Sequence, residues 1–498
     1  MKTVFKTLSL FILALAMLTA CNKESSEKRI LSFTIAGLNV TGDITENPKA
    51  IVAVVPYGTD VTSLVPIITI SEKATISPAS GIATDFTHPV TYTVTAEDGS
   101  KATYTATVTV SPNGGGIDGD PTTLSGNIDA NTTWPDLGFN VDYIIDGNLT
   151  ITGNALLTIQ PGVTIMFTGI DGGIEIGENA GIRMLGTAEK PIILEGPVNN
   201  PNNGSWNRVL VHSNRNDNKF EYVQFLRGGS SDQKWNGVVN VRGRLSMKNC
   251  IIDGSLNSGI STEYEGYLTE FENNAITHCA MYPWITENIY TLCSNISLTN
   301  TFTNNGDNCV YVDPASFELD DDNYTLQALS IPYYLHQGLS LTGNKTFTIE
   351  KGASFLMAAL TNIRVEGSCG FIAQGTEDMP ILFRGENAET KWGGILFEST
   401  RSLNVIEHCK IMNCGSSSNW NERTCLYIRT DAKLTLNNNV FGPCRFNGVG
   451  IENIETWSNV QHQGNTFTEC ANGNVWIEGG GLYNGHEYDD NAVLNDLP

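Results

Sequence analysis

Leu149-Thr-Ile-Thr-Gly-Asn154 returns further along the chain as Leu339-Ser-Leu-Thr-Gly-Asn344. Leu157-Thr-Ile-Gln-Pro-Gly162 returns as Phe347-Thr-Ile-Glu-Lys-Gly352, and Gly186-Thr-Ala-Glu-Lys-Pro-Ile192 as Gly375-Thr-Glu-Asp-Met-Pro-Ile381. Trp206-Asn-Arg-Val-Leu-Val211 has its counterpart in Trp392-Gly-Gly-Ile-Leu-Phe397. Gly229-Ser-Ser231 with Trp235-Asn236 matches Gly415-Ser-Ser417 with Trp420-Asn421, and Asn274-Ala-Ile-Thr277 with Cys279 matches Asn465-Thr-Phe-Thr468 with Cys470. The matches keep their order at an offset of about 190 residues, which chance does not produce, so two copies of one ancestral half are present, at about 143–310 and 333–498.

Each copy carries a finer beat. Leu149 to Ile151, Leu157 to Ile159, Ile174 to Ile176 and Ile192 to Leu194 alternate apolar and polar, and Asn or Gly closes nearly every run. Val209 to Val211, Tyr222 to Phe225 and Val238 to Val241 continue the series. One such rung cannot bury its apolar side, whereas stacked rungs bury a continuous column of Ile, Val, Leu and Phe. The expectation over 122–498 is a duplicated right-handed parallel β-helix. Asn249, Asn273, Asn274, Asn438 and Asn439 at the turns are expected to form amide ladders along the stack. A pair of two-sheet sandwiches is the structural alternative, but sandwiches seldom repeat in this way.

Upstream of the duplication the pattern changes. Phe33 to Ile35, Ile51 to Val55, Ile67 to Ile70, Val90 to Val94 and Tyr104 to Val108 read as strands, separated by Pro56-Tyr57-Gly58, by the turn around Pro78 and Gly81, and by Asp98-Gly99. Short strands at this spacing predict an immunoglobulin-like β-sandwich over 30–111. Pro112-Asn-Gly-Gly-Gly-Ile-Asp-Gly-Asp-Pro121 cannot pack as an element and reads as a linker, 112–121. The fold class is therefore all-β: sandwich, linker, solenoid.

At the N-terminus, Lys2 and Lys6 supply a positive start, Val4 to Met17 supplies an apolar run too short to span a bilayer, and small residues then lead to Cys21. Leu18-Thr-Ala-Cys21 resembles a bacterial lipobox. That resemblance implies a lipoprotein signal peptide over 1–20, a lipidated Cys21 as the mature terminus, a tether over 21–29 and attachment to a membrane through the lipid. An ordinary signal peptide with a chance cysteine is the alternative. Asn22-Lys-Glu24 and Glu27 resemble the acidic stretch that sends some lipoproteins to the cell surface. The formal net charge of -24 opposes nucleic acid and polyanions, because phosphate-neutralising side chains are in short supply. Neutral glycans, cations and surface proteins remain as partners. Ten cysteines beyond Cys21 admit a disulfide framework, but several fall where apolar strand residues belong, as Cys250 and Cys409 do, and read as small core side chains. No CxxC pair with nearby histidines suggests zinc.

The Gly-Thr-x-x-x-Pro-Ile and Trp-x-x-Ile/Val-Leu motifs, present in both copies, resemble the parallel β-helix of Gram-negative surface lipoproteins. The hairpin of Val90 to Val110 resembles the spacer domains of such proteins. The resemblance implies a location at the outer membrane or cell surface and leaves activity open. Glycan-cleaving β-helices need paired carboxylates, commonly with histidine and basic partners. Gly306-Asp307-Asn308 and Asp489-Asp490 are fragments without those partners, and His212, His278, His408 and His486 lack a neighbouring nucleophile in sequence. No catalytic residue is therefore assigned. Asp320-Asp321-Asp322 is a candidate Ca²⁺ cluster or a solvated turn. What recurs is aromatic: Trp235 and Trp420 in polar loops, Trp206 and Trp392 just before strands. An indole beside amides suits the apolar face of a neutral sugar. These four are the candidate ligand contacts, with packing over rung ends as the alternative. The expectation is a non-catalytic glycan-binding or adhesive protein; a polysaccharide lyase or hydrolase and a purely architectural protein are the competing readings.

Overall fold

The computed structural model describes residues 24–498 apart from 39, 56–58, 111–120, 198–199, 201, 231–234, 288, 294–295, 314–316, 320–321, 418 and 420–421. The signal segment, Cys21 and nearly all of the linker lie outside the described residues. The chain forms two compact units, 1–115 and 116–498.

In the first unit, alternation buries one side of each strand. Val40–Thr41, Ile30–Ile35 and Pro66–Ile70 make a three-stranded sheet. Asp43–Glu46, Lys49–Val55, Lys101–Val110, Val90–Thr95 and Thr75–Ser77 make a five-stranded one. Phe33, Ile51, Tyr92 and Tyr104 are fully buried between them, and Phe33 meets the edges of Phe86 and Tyr92 at ring separations of 6.3 and 6.2 Å. The expected hairpin pairs Val90 with Ala106 and Thr95 with Lys101. Lys49–Val55 runs parallel to Lys101–Val110, an interior pairing between strands far apart in sequence. The short edge strands at 40–46 and 75–77 were not legible from alternation, being too brief and polar.

The second unit is a parallel β-solenoid of about 13 turns. One turn contains Ile192–Glu195, Val209–Val211 and Lys219–Glu221. The next repeats it with Val223–Gly228, Val239–Val241 and Arg244–Lys248, pairing Ile192 with Val223, Val209 with Val239, and Lys219 with Ser246. Inward side chains make one continuous apolar core from Trp134 to Ile477. Tyr222 is not part of a strand: its φ of 49° marks a bend between Lys219–Glu221 and Val223–Gly228.

Of the five asparagines expected in inward ladders, Asn274 and Asn439 form them, whereas exposed Asn273 and half-buried Asn249 and Asn438 do not and bend the chain instead. Asn249, Asn273 and Asn438 adopt left-handed φ of 53, 55 and 53°, which Asn tolerates better than most side chains, and turn the chain. The residue after each bend points inward. Asn274 Oδ1 accepts from Cys250 N at 2.9 Å, and Asn274 Nδ2 donates to Asn300 Oδ1 at 3.0 Å. In the second copy Asn439 Oδ1 accepts from Cys409 N at 2.9 Å, and its Nδ2 donates to Asn465 Oδ1 at 3.0 Å. These amides satisfy backbone N–H groups that the bends free from the ladder.

The two copies do not stack in phase. Trp284–Thr286 pairs with Val310–Val312, which pairs with Tyr333–Leu335 and then Ser354–Met357. Tyr333–Leu335 is the sequence equivalent of Tyr143 to Ile145, and those residues belong to the neighbouring column of the first copy, beneath Thr164–Phe167. The column leading up to Trp284 descends instead from Leu149 to Ile151 through Gly173–Ile176. A column of the first copy thus continues as a non-equivalent column of the second.

Candidate functional site

Strands of three residues turn their first and last side chains inward and their middle one outward. Along the column that crosses the junction, the outward file is Leu210, Asn240, Ser261, Ile285, Tyr311 and Tyr334, each the register partner of the next. Tyr311 and Tyr334 come together only because the columns change phase there. Trp235 hangs over this file from the loop ahead of Val239–Val241. Asn240 Nδ2 holds that loop by donating to Trp235 O at 3.4 Å, and also reaches Glu263 Oε1 at 2.6 Å. Gly237 lets the loop run close to the next turn, since a Cβ there would stand 2.6 Å from Ser261 N.

The result is an aromatic cluster centred on Tyr311, itself only 3% exposed. Trp235 meets its edge at 6.5 Å and 88°, Tyr282 tilts against it at 4.8 Å, Tyr334 lies at 5.6 Å and the His336 imidazole at 5.2 Å. Trp235, Tyr282 and Tyr334 are half-buried, and His336 is exposed. Polar groups rim the rings. Tyr334 Oη donates to Glu386 Oε2 at 2.7 Å, Gln337 Nε2 donates to Asp313 Oδ1 at 2.6 Å, and His336 Nδ1 is 3.5 Å from the same oxygen. Burial, aided by Asp307, pushes the Tyr282 phenol up to about 12, and burial with Asp313 does the same for Tyr311. Both hydroxyls stay protonated at neutral pH.

A polar trough lies along the first copy and reaches Asp322 and Tyr324 beyond it. An open cleft of about 830 Å³ is lined by Asn216, Arg244, Tyr267, Tyr290 and Tyr324 among others, and a second of about 640 Å³ by His212, Arg242 and Tyr264 among others. They share Asn214 and Glu265 and so form one trough. Tyr267 and Tyr290 stack at 6.5 Å and 14°.

The tryptophans expected to touch ligand separate into distinct roles. Trp206 and Trp392 are fully buried, so neither offers a face to a sugar; this corrects their assignment as ligand contacts. Their indole N–H groups donate to Leu226 O and Met412 O, both at 2.8 Å, and Trp206 stacks on Phe167 at 4.4 Å. A bulky ring before a strand fills the corner of a turn, which is why the motif recurs. Trp235 sits in the aromatic cluster. Trp420 lies outside the described residues; the strand after it, Thr424–Ile428, belongs to a different column from Val239–Val241. Asp320 and Asp321 also lie outside, and exposed Asp322 lines the trough. Among the described residues no group of three or more His, Cys, Asp or Glu converges on a metal position. Asn308 and Asp490 serve turns, Asn308 accepting from Asn305 Nδ2 and Asp490 from Gly480 N. His212 faces Glu175 at 3.2 Å and His278 faces Asp253 at 2.8 Å. His408 occupies a left-handed bend, φ 48°. His486 lies in the hairpin of Gly481–Tyr483 and His486–Tyr488. Tyr282, Tyr311, Tyr334 and His336 were missed in the sequence. Their aromatic character was visible, but only the junction register brings them together.

Residues 30–108 match the family model described as SGBP, N-terminal, and residues 126–240 match the pectate-lyase like beta helix domain. The chain thus carries an SGBP N-terminal domain followed by a pectate-lyase-like β-helix. A candidate glycoside hydrolase from Bacteroides thetaiotaomicron, known from its crystal structure, is 38% identical over 19% of this chain, with a TM-score of 0.17. The match spans 28% of that protein's length. A candidate secreted protein from Bacteroides fragilis is 20% identical over 18% of this chain and 96% of its own, with a TM-score of 0.14. No curated protein matches the chain. Among the described residues no helix is long and apolar enough to cross a membrane.

Proposed function

We propose that this chain is a non-catalytic glycan-binding protein of the cell surface, lipid-anchored through Cys21, and that its solenoid holds a neutral saccharide on the Trp235 cluster. The observation that carries this reading is the arrangement of three half-buried rings, Trp235, Tyr282 and Tyr334, around buried Tyr311, rimmed by Glu386, Asp313 and Gln337. Such a site offers flat apolar area for the C–H face of a sugar and acceptors for its hydroxyls. The SGBP match over 30–108 supports glycan binding and surface association in the coarse sense. In this reading the sandwich is a spacer between lipid and solenoid.

The test is a neutral-glycan array with the full chain. Trp235→Ala should weaken binding at least about tenfold, the loss of a central aromatic contact, while leaving the unfolding midpoint nearly unchanged. Retention of full affinity would remove the cluster from the binding role. A second reading, polysaccharide cleavage, draws on the His336–Asp313 approach beside Tyr311. Release of new reducing ends or unsaturated products, abolished by His336→Ala, would favour it over binding.

A further inference from the structure

A file of sulfur atoms runs up one corner of the second copy. Trp392, Cys414, Cys444 and Cys470 are bridged in parallel, each to the next, on successive turns. Cys425 touches both Cys414 and Cys444, and the Cys444 and Cys470 thiols meet. The equivalent corner of the first copy, above Trp206, pairs Gly228 with Ser255 and Ser255 with Cys279. That corner has the same geometry and a single sulfur.

We propose that Cys444 and Cys470 are the site of an inter-turn disulfide that staples the last turn of the solenoid. Parallel neighbours stand about 4.8 Å apart, inside the Cα separations that disulfides span, about 4.4–6.8 Å. The Cys470 sulfur leans toward the turn of Cys444: it lies 3.8 Å from Phe441 O, and a Cβ built on Gly442 would come within 3.3 Å of it. Access selects the same pair. Cys414 and Cys425 are fully buried, Cys444 is 5% exposed, and half-buried Cys470 is the outermost member of the file. Sulfur contacts, Cys425 on Cys444 and Cys444 on Cys470, together with burial, push both thiols upward, so they stay protonated until the terminal turn opens. Beside Cys470, Thr466–Phe467 pairs with Val440–Phe441, and among the described residues no further strand pairs with it on the other side; a strand held on one side opens more readily than one held on both.

The chemistry is thiol–disulfide exchange with a small-molecule disulfide. The Cys470 thiolate attacks one sulfur of that disulfide, forming a mixed disulfide and expelling one small thiolate. The Cys444 thiolate then attacks the Cys470 sulfur and expels the second. Two protons leave the protein, its two thiols are oxidised by two electrons, and the small disulfide is reduced to two thiols.

The full chain is incubated with oxidised glutathione at mildly alkaline pH, its remaining thiols are blocked with N-ethylmaleimide under denaturing conditions, and it is digested with pepsin in acid. Mass spectrometry should find one linked peptide pair joining Cys444 to Cys470, two hydrogens lighter than the sum of its parts. Hydrogen exchange over Val475–Gly479 should slow on oxidation. Cys470→Ser should abolish both effects, and Cys279→Ser should abolish neither. Blocking of both Cys444 and Cys470 by maleimide, or a link from either to another cysteine, would overturn the proposal. If Cys470→Ser misfolds, Cys470→Ala supplies the same control.

Discussion

The corners at Trp206 and Trp392 are built from the same sequence motif and fold the same way. Each indole donates to a carbonyl 20 residues further on at 2.8 Å. Each is followed by a buried serine and asparagine that close the next bend. Asn218 Oδ1 accepts from Ile182 N while its Nδ2 serves Ser213, Arg215 and Arg244 carbonyls, and Asn404 does the same for Phe371, Arg401 and Lys433 with Ser399 as the hydroxyl partner. Away from these groups the halves part. The first carries most of the trough, the aromatic cluster straddles the junction with Tyr334, His336 and Glu386 from the second, and the second carries the sulfur file. A solenoid's inward side chains and the rings that fill its corners are constrained by the turns above and below, while outward positions are freer to differ. The shared features are therefore structural, and the differences are where function should be sought.

That contrast can be broken most severely at the corners. Trp206→Ala and Trp392→Ala should each cost about 3–5 kcal/mol, the range for emptying a buried aromatic site, measured by urea unfolding. Their similarity is the point: a small loss at one and a large loss at the other would mean that the two corners are not equivalent. The ladders come next. Asn274→Ala and Asn439→Ala each leave buried backbone groups without a partner and should cost about 1–3 kcal/mol. Both should do so in the same assay.

A smaller effect separates the halves by pH. Asp217 is held down to about 2, first by its hydrogen bond to Arg215 and then by Arg183, against the opposing cost of burial. Leu403 stands at the equivalent place in the second copy and is exposed. A depressed folded-state carboxyl adds stability above its unfolded value, near 3.8, and loses it as pH falls toward about 2. Asp217→Asn should therefore lower the midpoint at neutral pH by an amount that shrinks across that window, whereas Leu403→Asn should give no pH-dependent difference. Because Asp217 is about one-third exposed, with a side-chain exposure of 32%, solvent screening keeps the effect modest. The least perturbing change for stability is Trp235→Ala, expected within about 0.5 kcal/mol of the parent, although it should have the largest effect on glycan affinity. A large stability loss there would recast the cluster as a core cover.

Much of the fold was legible. The duplicated motifs and the two-residue alternation announced stacked strands, and paired asparagines announced inward ladders. Eight of the ten body cysteines are buried, as their strand positions suggested. The site was legible only in part. Trp235 stood out in a polar loop, but Trp206 and Trp392 looked equally eligible, since a tryptophan that fills a corner and one that faces solvent carry the same letter. Burial separates them, and burial depends on the turns above and below.

What the sequence determined by itself is the all-β class and the solenoid, because repetition and alternation are local properties that each rung displays. What only the tertiary structure decided is which column meets which at the junction. Between Val310–Val312 and Tyr333–Leu335, Tyr324–Leu326 pairs with Thr346–Ile349 in the register by which Thr132–Trp134 pairs with Leu156–Ile159, so the second copy restarts on its own columns while Val310–Val312 joins Tyr333–Leu335 across them. That phase puts Tyr311 against Tyr334 beneath Trp235, and no periodicity in the chain encodes it.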